Sequence, residues 1–171
     1  MKQQKLKYMC LTGVFTAVIF VFTAYLHIPS HTGYTHVGDA FVYLAACLLP
    51  LPYAAFAGAA GAFLADALTG FALWAPASII IKAVSTVFFT AKANRILTMR
   101  NALALLPSSA ICIGGYYGYE VLITANVIAP LAGIWGYLTQ SVLSSVLFLI
   151  LATMSDKLNL RSRFMDGGNQ R

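Results

Sequence analysis

Lys92-Ala93-Asn94-Arg95-Ile96-Leu97-Thr98-Met99-Arg100 is the polar interruption that decides how this chain is built. It sets three basic residues between two long apolar regions. Lys2, Lys5 and Lys7 precede the first apolar run, and Lys157, Arg161, Arg163 and Arg171 follow the last. Basic clusters at the ends of apolar segments mark the cytoplasmic side of membrane helices. Working outward, four apolar runs lie before the interruption, at about residues 8–28, 37–49, 53–71 and 74–91. Two follow it, at about 102–125 and 130–153. Both counts are even, so all three clusters fall on one side of a membrane. One helix more or fewer would put a cluster on the wrong side.

Composition agrees. Of 171 residues, 60% are hydrophobic and only 9% charged, where a soluble domain carries about a quarter. A bilayer-spanning helix needs about 20 residues, so six spans consume most of the chain. The expectation is one integral membrane domain over residues 1–171: an all-α six-transmembrane-helix bundle in the cell membrane, with cytoplasmic N- and C-termini and lipid as its solvent. The net charge of +6 is a topology signal and not a nucleic-acid footprint. The first run, Tyr8 to Ile28, exceeds the h-region of a cleavable signal and is read as a span.

The third run holds Ala57-Gly58-Ala59-Ala60-Gly61-Ala62. In lipid, helices associate by close packing, and small residues let backbones approach. This run is therefore expected among neighbours. Gly13 and Ala17 in the first run form another small-xxx-small pair, suited to packing inside the bundle or to docking a partner.

Ionisable residues inside a bilayer cost about 2.5–3.5 kcal/mol each unless paired or wet. Here they are Asp39, Asp66, Lys82 and Glu120. With the topology above, all four map to the outer half or the middle of the membrane. Trp74, Tyr116, Asn126, Trp135 and Gln140 gather at the same level, with His36 just before the second run. Aromatic walls with a few oriented polar groups describe a pocket for a flat organic ligand, although Trp74 and Trp135 also suit an interfacial aromatic belt. Lys82 is expected to pair with Asp39 or Asp66. Three carboxylates face one ammonium, so at least one must be protonated, solvated or kept for a ligand donor. Glu120, near Tyr117 and Tyr119, is assigned that role.

Other chemistry finds no support. Cys10, Cys47 and Cys112 have neither disulfide nor metal spacing. His27, His31 and His36 bracket the first outer loop without a completing ligand cluster, so the loop is expected to cover the pocket and not to bind metal. No HExxH, GxSxG or GxxxxGK[ST] occurs. Neither an enzyme nor a resident cofactor is expected, and uphill transport would need an ion gradient or another subunit.

Two stretches carry a resemblance. Thr35-His36-Val37-Gly38-Asp39-Ala40 with Tyr43-Leu44-Ala45-Ala46 is similar to the segment opening the second helix in the substrate-binding S components of energy-coupling factor (ECF) vitamin transporters, in their riboflavin/hydroxymethylpyrimidine-like branch. Gly58 to Asp66 and Ala75-Pro76-Ala77-Ser78-Ile79-Ile80-Ile81-Lys82 resemble that branch's third and fourth helices. The resemblance implies an outward-facing vitamin pocket built by helices four to six and capped by outer loops. It also implies docking on a transmembrane T subunit that carries two ATPase subunits, through small residues of the first helix. Gly13 and Ala17 occupy those places, with glycine replacing the first alanine of the usual AxxxA. The carboxylate surplus favours a hydrogen-bond-donating or cationic ligand, such as a hydroxymethylpyrimidine-like thiamine precursor or a vitamin B6 form. An anionic ligand stays open if Lys82 is not consumed by a carboxylate. Two other classes remain: a stand-alone carrier using Asp66 or Glu120 as a proton site, and a non-catalytic structural membrane subunit.

Overall fold

The computed structural model describes residues 2–29 and 34–165. Helix α1 spans Lys2–Ala24. It begins before the apolar run because lysine and glutamine are good helix formers. It also ends sooner than expected. Ile28 does not extend the helix, since β1 (His27–Pro29) pairs antiparallel with β2 (Tyr34–His36), setting Ile28 opposite Thr35. Both are β-branched, which favours the pleated pairing, and Pro29 cannot continue a helix. His31 lies outside the described residues.

Helix α2 (Asp39–Leu48) has 10 residues and is about 15 Å long, half of a hydrocarbon core of about 30 Å. Helix α3 covers Leu51–Leu68 with Pro52 in its first turn, where a missing N–H costs little. Helix α4 (Ala75–Ser85) follows a 3-10 turn at Ala72–Trp74. The fourth apolar run does not stay helical to Ala91. After Ser85 it tightens into a 3-10 turn at Thr86–Phe88, where the Ser85 and Thr86 hydroxyls donate to the carbonyls of Ile81 and Ala83 and compete with the helical ladder. The fifth run is also divided. A short α5 (Met99–Leu103), capped by Thr98, precedes α6 (Leu105–Thr124). Helix α7 runs from Ile134 to Lys157 after a 3-10 turn at Ala129–Gly133, four residues beyond the expected Thr153, and α8 covers Leu160–Met165.

Three helical stretches, Lys2–Ala24, Leu51–Leu68 and Ala129–Lys157, are long and apolar enough to cross a membrane, and two shorter apolar helices accompany them. Helix α6 has 20 residues, but Glu120, three tyrosines and several Gly and Ser lower its hydropathy. The surface is apolar: Leu122, Ile128, Leu68 and Leu106 are each at least 70% exposed, which water would penalise and lipid does not. The interior is the polar part, since Asp39, Asp66, Lys82, Glu120 and Gln140 are all buried. This inversion identifies an all-α membrane protein carrying one short hairpin.

Small residues set the packing as anticipated. A Cβ on Gly61 would sit 2.7 Å from Ile19 Cγ2 and 3.0 Å from the Thr16 carbonyl, so α3 presses on the backbone of α1. Toward the α5 end, Tyr43 stacks on Phe89 at 4.9 Å, and Phe148 closes the cluster edge-on.

Candidate functional site

The two strands, the end of α3, the start of α4, and the facing parts of α6 and α7 enclose a cleft. Tyr34 and His36 come from β2, Asp66 from α3, and Trp74 and Ser78 from the α4 entry. Tyr116 of α6 and Tyr137 and Gln140 of α7 complete it. Its unfilled space is about 330 Å³, the open mouth included.

One wall is aromatic. Tyr116 and Tyr137 stack at 5.4 Å with 22° between their planes, and Trp74 meets Tyr116 edge-on at 6.0 Å. Tyr119 holds that corner by donating to the Leu73 carbonyl at 2.6 Å. The opposite side belongs to the hairpin, where Tyr34 packs against Phe71 and His36. The Thr35 hydroxyl donates to the Gly136 carbonyl at 3.2 Å, tying the hairpin to the start of α7. Gly38 is needed at the hairpin exit because a Cβ there would collide with the Thr23 hydroxyl.

The floor is ionic. Lys82 Nζ lies 2.7 Å from Asp39 Oδ1, both side chains being buried, and 5.0 Å from the centre of the Tyr116 ring, within cation–π range. Gln140 Nε2 donates to Asp39 Oδ2 at 3.0 Å and approaches Cys112 Sγ at 3.6 Å. Asp39 is thus satisfied on both oxygens, and the amide orientation of Gln140 is fixed, its Oε1 being the remaining acceptor. Ser78 and Tyr116 share a hydrogen bond of 2.9 Å.

Two further groups at the cleft keep unused capacity. The His36 Nδ1 accepts from the Gly38 N–H at 3.1 Å, which puts the ring proton on Nε2 and makes that atom a donor. Burial pushes this imidazole down to about 4, so it is neutral. Asp66 accepts from the Tyr34 hydroxyl on Oδ1, while its Oδ2 is buried with no hydrogen-bond partner among the described residues.

Of the residues expected at the site, His36, Trp74, Tyr116 and Gln140 line the cleft, and Asp39 and Lys82 lie beneath it. Glu120 does not line it. Buried behind the wall, it accepts from the Tyr137 hydroxyl at 2.9 Å. Asn126 sits in the α6–α7 connection, where its Oδ1 accepts from the N–H groups of Ile128 and Ala129. Trp135 is 77% exposed and turned away, as an interfacial aromatic would be. Sequence reasoning passed over Tyr34, Ser78 and Tyr137, and noted Asp66 without placing it at the ligand. Helical spacing held a signal for two of them: Ser78 is four residues before Lys82, and Tyr137 three before Gln140. Tyr34 had none, because its position depends on the hairpin.

The family model described as ECF-type riboflavin transporter, S component, matches residues 3–157. The chain belongs to that family. No curated protein sequence matches it. As an S component the chain is an integral membrane protein and the substrate-binding subunit of an ECF transporter. Its cleft, with aromatic faces and few inward polar atoms, has the make-up of a small-molecule site.

Proposed function

We propose that this S component captures a vitamin or vitamin precursor in the hairpin-end cleft. Without catalysis of its own, it hands its load to a T subunit and two ATPase subunits for ATP-driven uptake. The membrane is the bacterial cytoplasmic membrane, crossed six times with both termini inside. The observation that carries this reading is the aromatic cleft roofed by Tyr34 and floored by Asp39–Lys82, in a chain matched almost end to end by the S-component family. The positions of the basic clusters support the orientation. Tyr8, next to the first cluster, shares a groove with Lys92 and Arg100, and Arg161 bonds the Cys47 and Ala91 carbonyls. Members of all three clusters among the described residues thus lie at the end away from the cleft.

The contacts proposed for the ligand are His36, Trp74, Tyr116 and Gln140, with Asp39 and Lys82 holding the floor. The family name carries riboflavin, but the cleft is narrow, with Tyr34, Trp74, Tyr116 and Tyr137 crowding it from both sides. A single-ring hydroxymethylpyrimidine or a B6 form suits it better than three fused rings. The open face of α1 supports docking there. Gly13 and Ala17 are exposed, and a Cβ on Gly13 would meet nothing within 4 Å.

The test has two parts. The protein purified alone should carry a co-purifying vitamin-type molecule, and uptake into vesicles should require the ATPase partners. Gly13→Leu or Ala17→Leu should leave ligand binding intact and abolish uptake, because a bulky side chain blocks close approach. Uptake that ignores ATP and collapses with a proton uncoupler would replace this reading with the stand-alone carrier.

A further inference from the structure

Two features of the cleft restrict what it can hold. First, no lysine or arginine lines it, and the cation nearest to it, Lys82, is closed on Asp39 at 2.7 Å. An anionic ligand would find no free positive partner there. Second, Asp66 is 3% exposed and lines the cleft, and its Oδ2 makes no hydrogen bond of normal geometry among the described residues, although the Ser78 hydroxyl lies close enough to interact with the carboxyl. A buried acceptor left unmatched is costly, and a ligand donor removes that cost when it binds. The other oxygen is held by Tyr34.

We infer that Asp66 determines specificity, accepting an N–H from an amino-substituted or protonated single-ring heteroaromatic stacked against Tyr116 and Tyr137. The inference rests on the binding reading above and adds to it the chemical class of the ligand. His36 Nε2–H complements Asp66. A ring carrying an amino group beside a ring nitrogen offers the donor that Asp66 lacks and an acceptor for His36. The tie from Asp66 to Tyr34 makes the same contact report to the hairpin.

The experiment is calorimetric binding to the purified full chain in detergent with three probes: 4-amino-5-hydroxymethyl-2-methylpyrimidine, the same ring without the amino group, and riboflavin. The amino ring should bind at least about tenfold more tightly than the des-amino ring, the scale of one hydrogen bond to a charged acceptor. In Asp66→Ala that preference should shrink to less than about twofold, with des-amino binding retained as the sign of an intact fold. If Asp66→Ala does not fold, the wild-type comparison still decides, and equal affinity for the two rings overturns the inference. Riboflavin binding more tightly than both rings, with no amino preference, overturns the role of Asp66 and leaves the S-component reading in place. Binding of none of the probes, with no co-purifying molecule and no ATP-dependent uptake, overturns both.

Discussion

The two ends of this bundle both bury polar side chains, and they use them differently. At the α5 end the buried Asn101 and the half-buried Asp156 and Arg161 serve the backbone. Both carboxylate oxygens of Asp156 accept from main-chain N–H groups, those of Ile96 at 2.8 Å and Leu97 at 2.9 Å. Asn101 accepts from the Thr90 N–H and donates to the carbonyls of Thr90 and Ile96. Arg161 donates to Cys47 and Ala91 carbonyls. The segment between α4 and α5 has no helical ladder, so these side chains supply the partners its buried backbone requires. At the hairpin end the polar groups mostly face one another, in the pairs Asp39–Lys82, Gln140–Asp39, Ser78–Tyr116 and Tyr34–Asp66. Asp66 Oδ2, His27 Nδ1 and Ser141 Oγ are left over there among the described residues. Polar groups that satisfy the main chain are scaffold. Those arranged around each other with capacity to spare line or underlie the proposed cleft, and burial alone would not tell the two apart.

Breaking one member of the floor pair should have the largest effect. Asp39→Asn or Lys82→Met alone strands a buried charge, which costs about 3–5 kcal/mol. Changing both together should cost clearly less than the sum, because no lone charge remains. Thermal unfolding in detergent reads this, and additive losses would mean that the two groups are not coupled. Asp156→Asn sharpens the contrast between the ends. One of its two backbone donors loses its acceptor, for about 1–3 kcal/mol of stability, while ligand affinity should not change. A fall in affinity would mean that scaffold and site are not separable in this way.

Much of this was readable from residue order, and what was not has a physical reason. The apolar runs became helices because lipid-facing segments must satisfy their backbone internally, and Gly61 lies at a close helix contact as small residues in lipid require. Helix ends were harder to read. Ile28 left the first helix for a strand pairing that involves residues beyond Pro29, and Ser85 and Thr86 tightened the fourth helix through their hydroxyls. The Lys82 pairing was narrowed to two carboxylates by charge count, but choosing Asp39 over Asp66 needed the third dimension. Asn126 and Trp135 face away from the cleft, because topology bears on depth along a helix and not on which way a side chain faces. Among the carboxylates Glu120, expected to be kept for a ligand donor, lies behind the wall, and Asp66 lines the cleft. Both are buried beside tyrosines, and only the folded chain distinguishes an acid behind the wall from one that lines the cleft.

That last distinction gives the smallest predicted effect and a direct check on the contrast between supporting and ligand-facing groups. Glu120 reaches the cleft through Tyr137, whose hydroxyl donates to Oε2 at 2.9 Å. In Glu120→Gln the amide oxygen can still accept that bond. The stacked position of Tyr137 against Tyr116 should therefore survive, and affinity for a co-purified or added ligand should change by less than about threefold, the size of a partly weakened hydrogen bond. Asp66→Asn has no such refuge. One of its two positions becomes an NH2 group, which must face either the Tyr34 hydroxyl or the ligand donor, so the loss should exceed that of Glu120→Gln in the same assay. If Glu120→Gln instead weakens binding more than tenfold while Asp66→Asn is silent, the ligand sits deeper between α6 and α7 than the cleft described above, and the roles of the two acids are reversed.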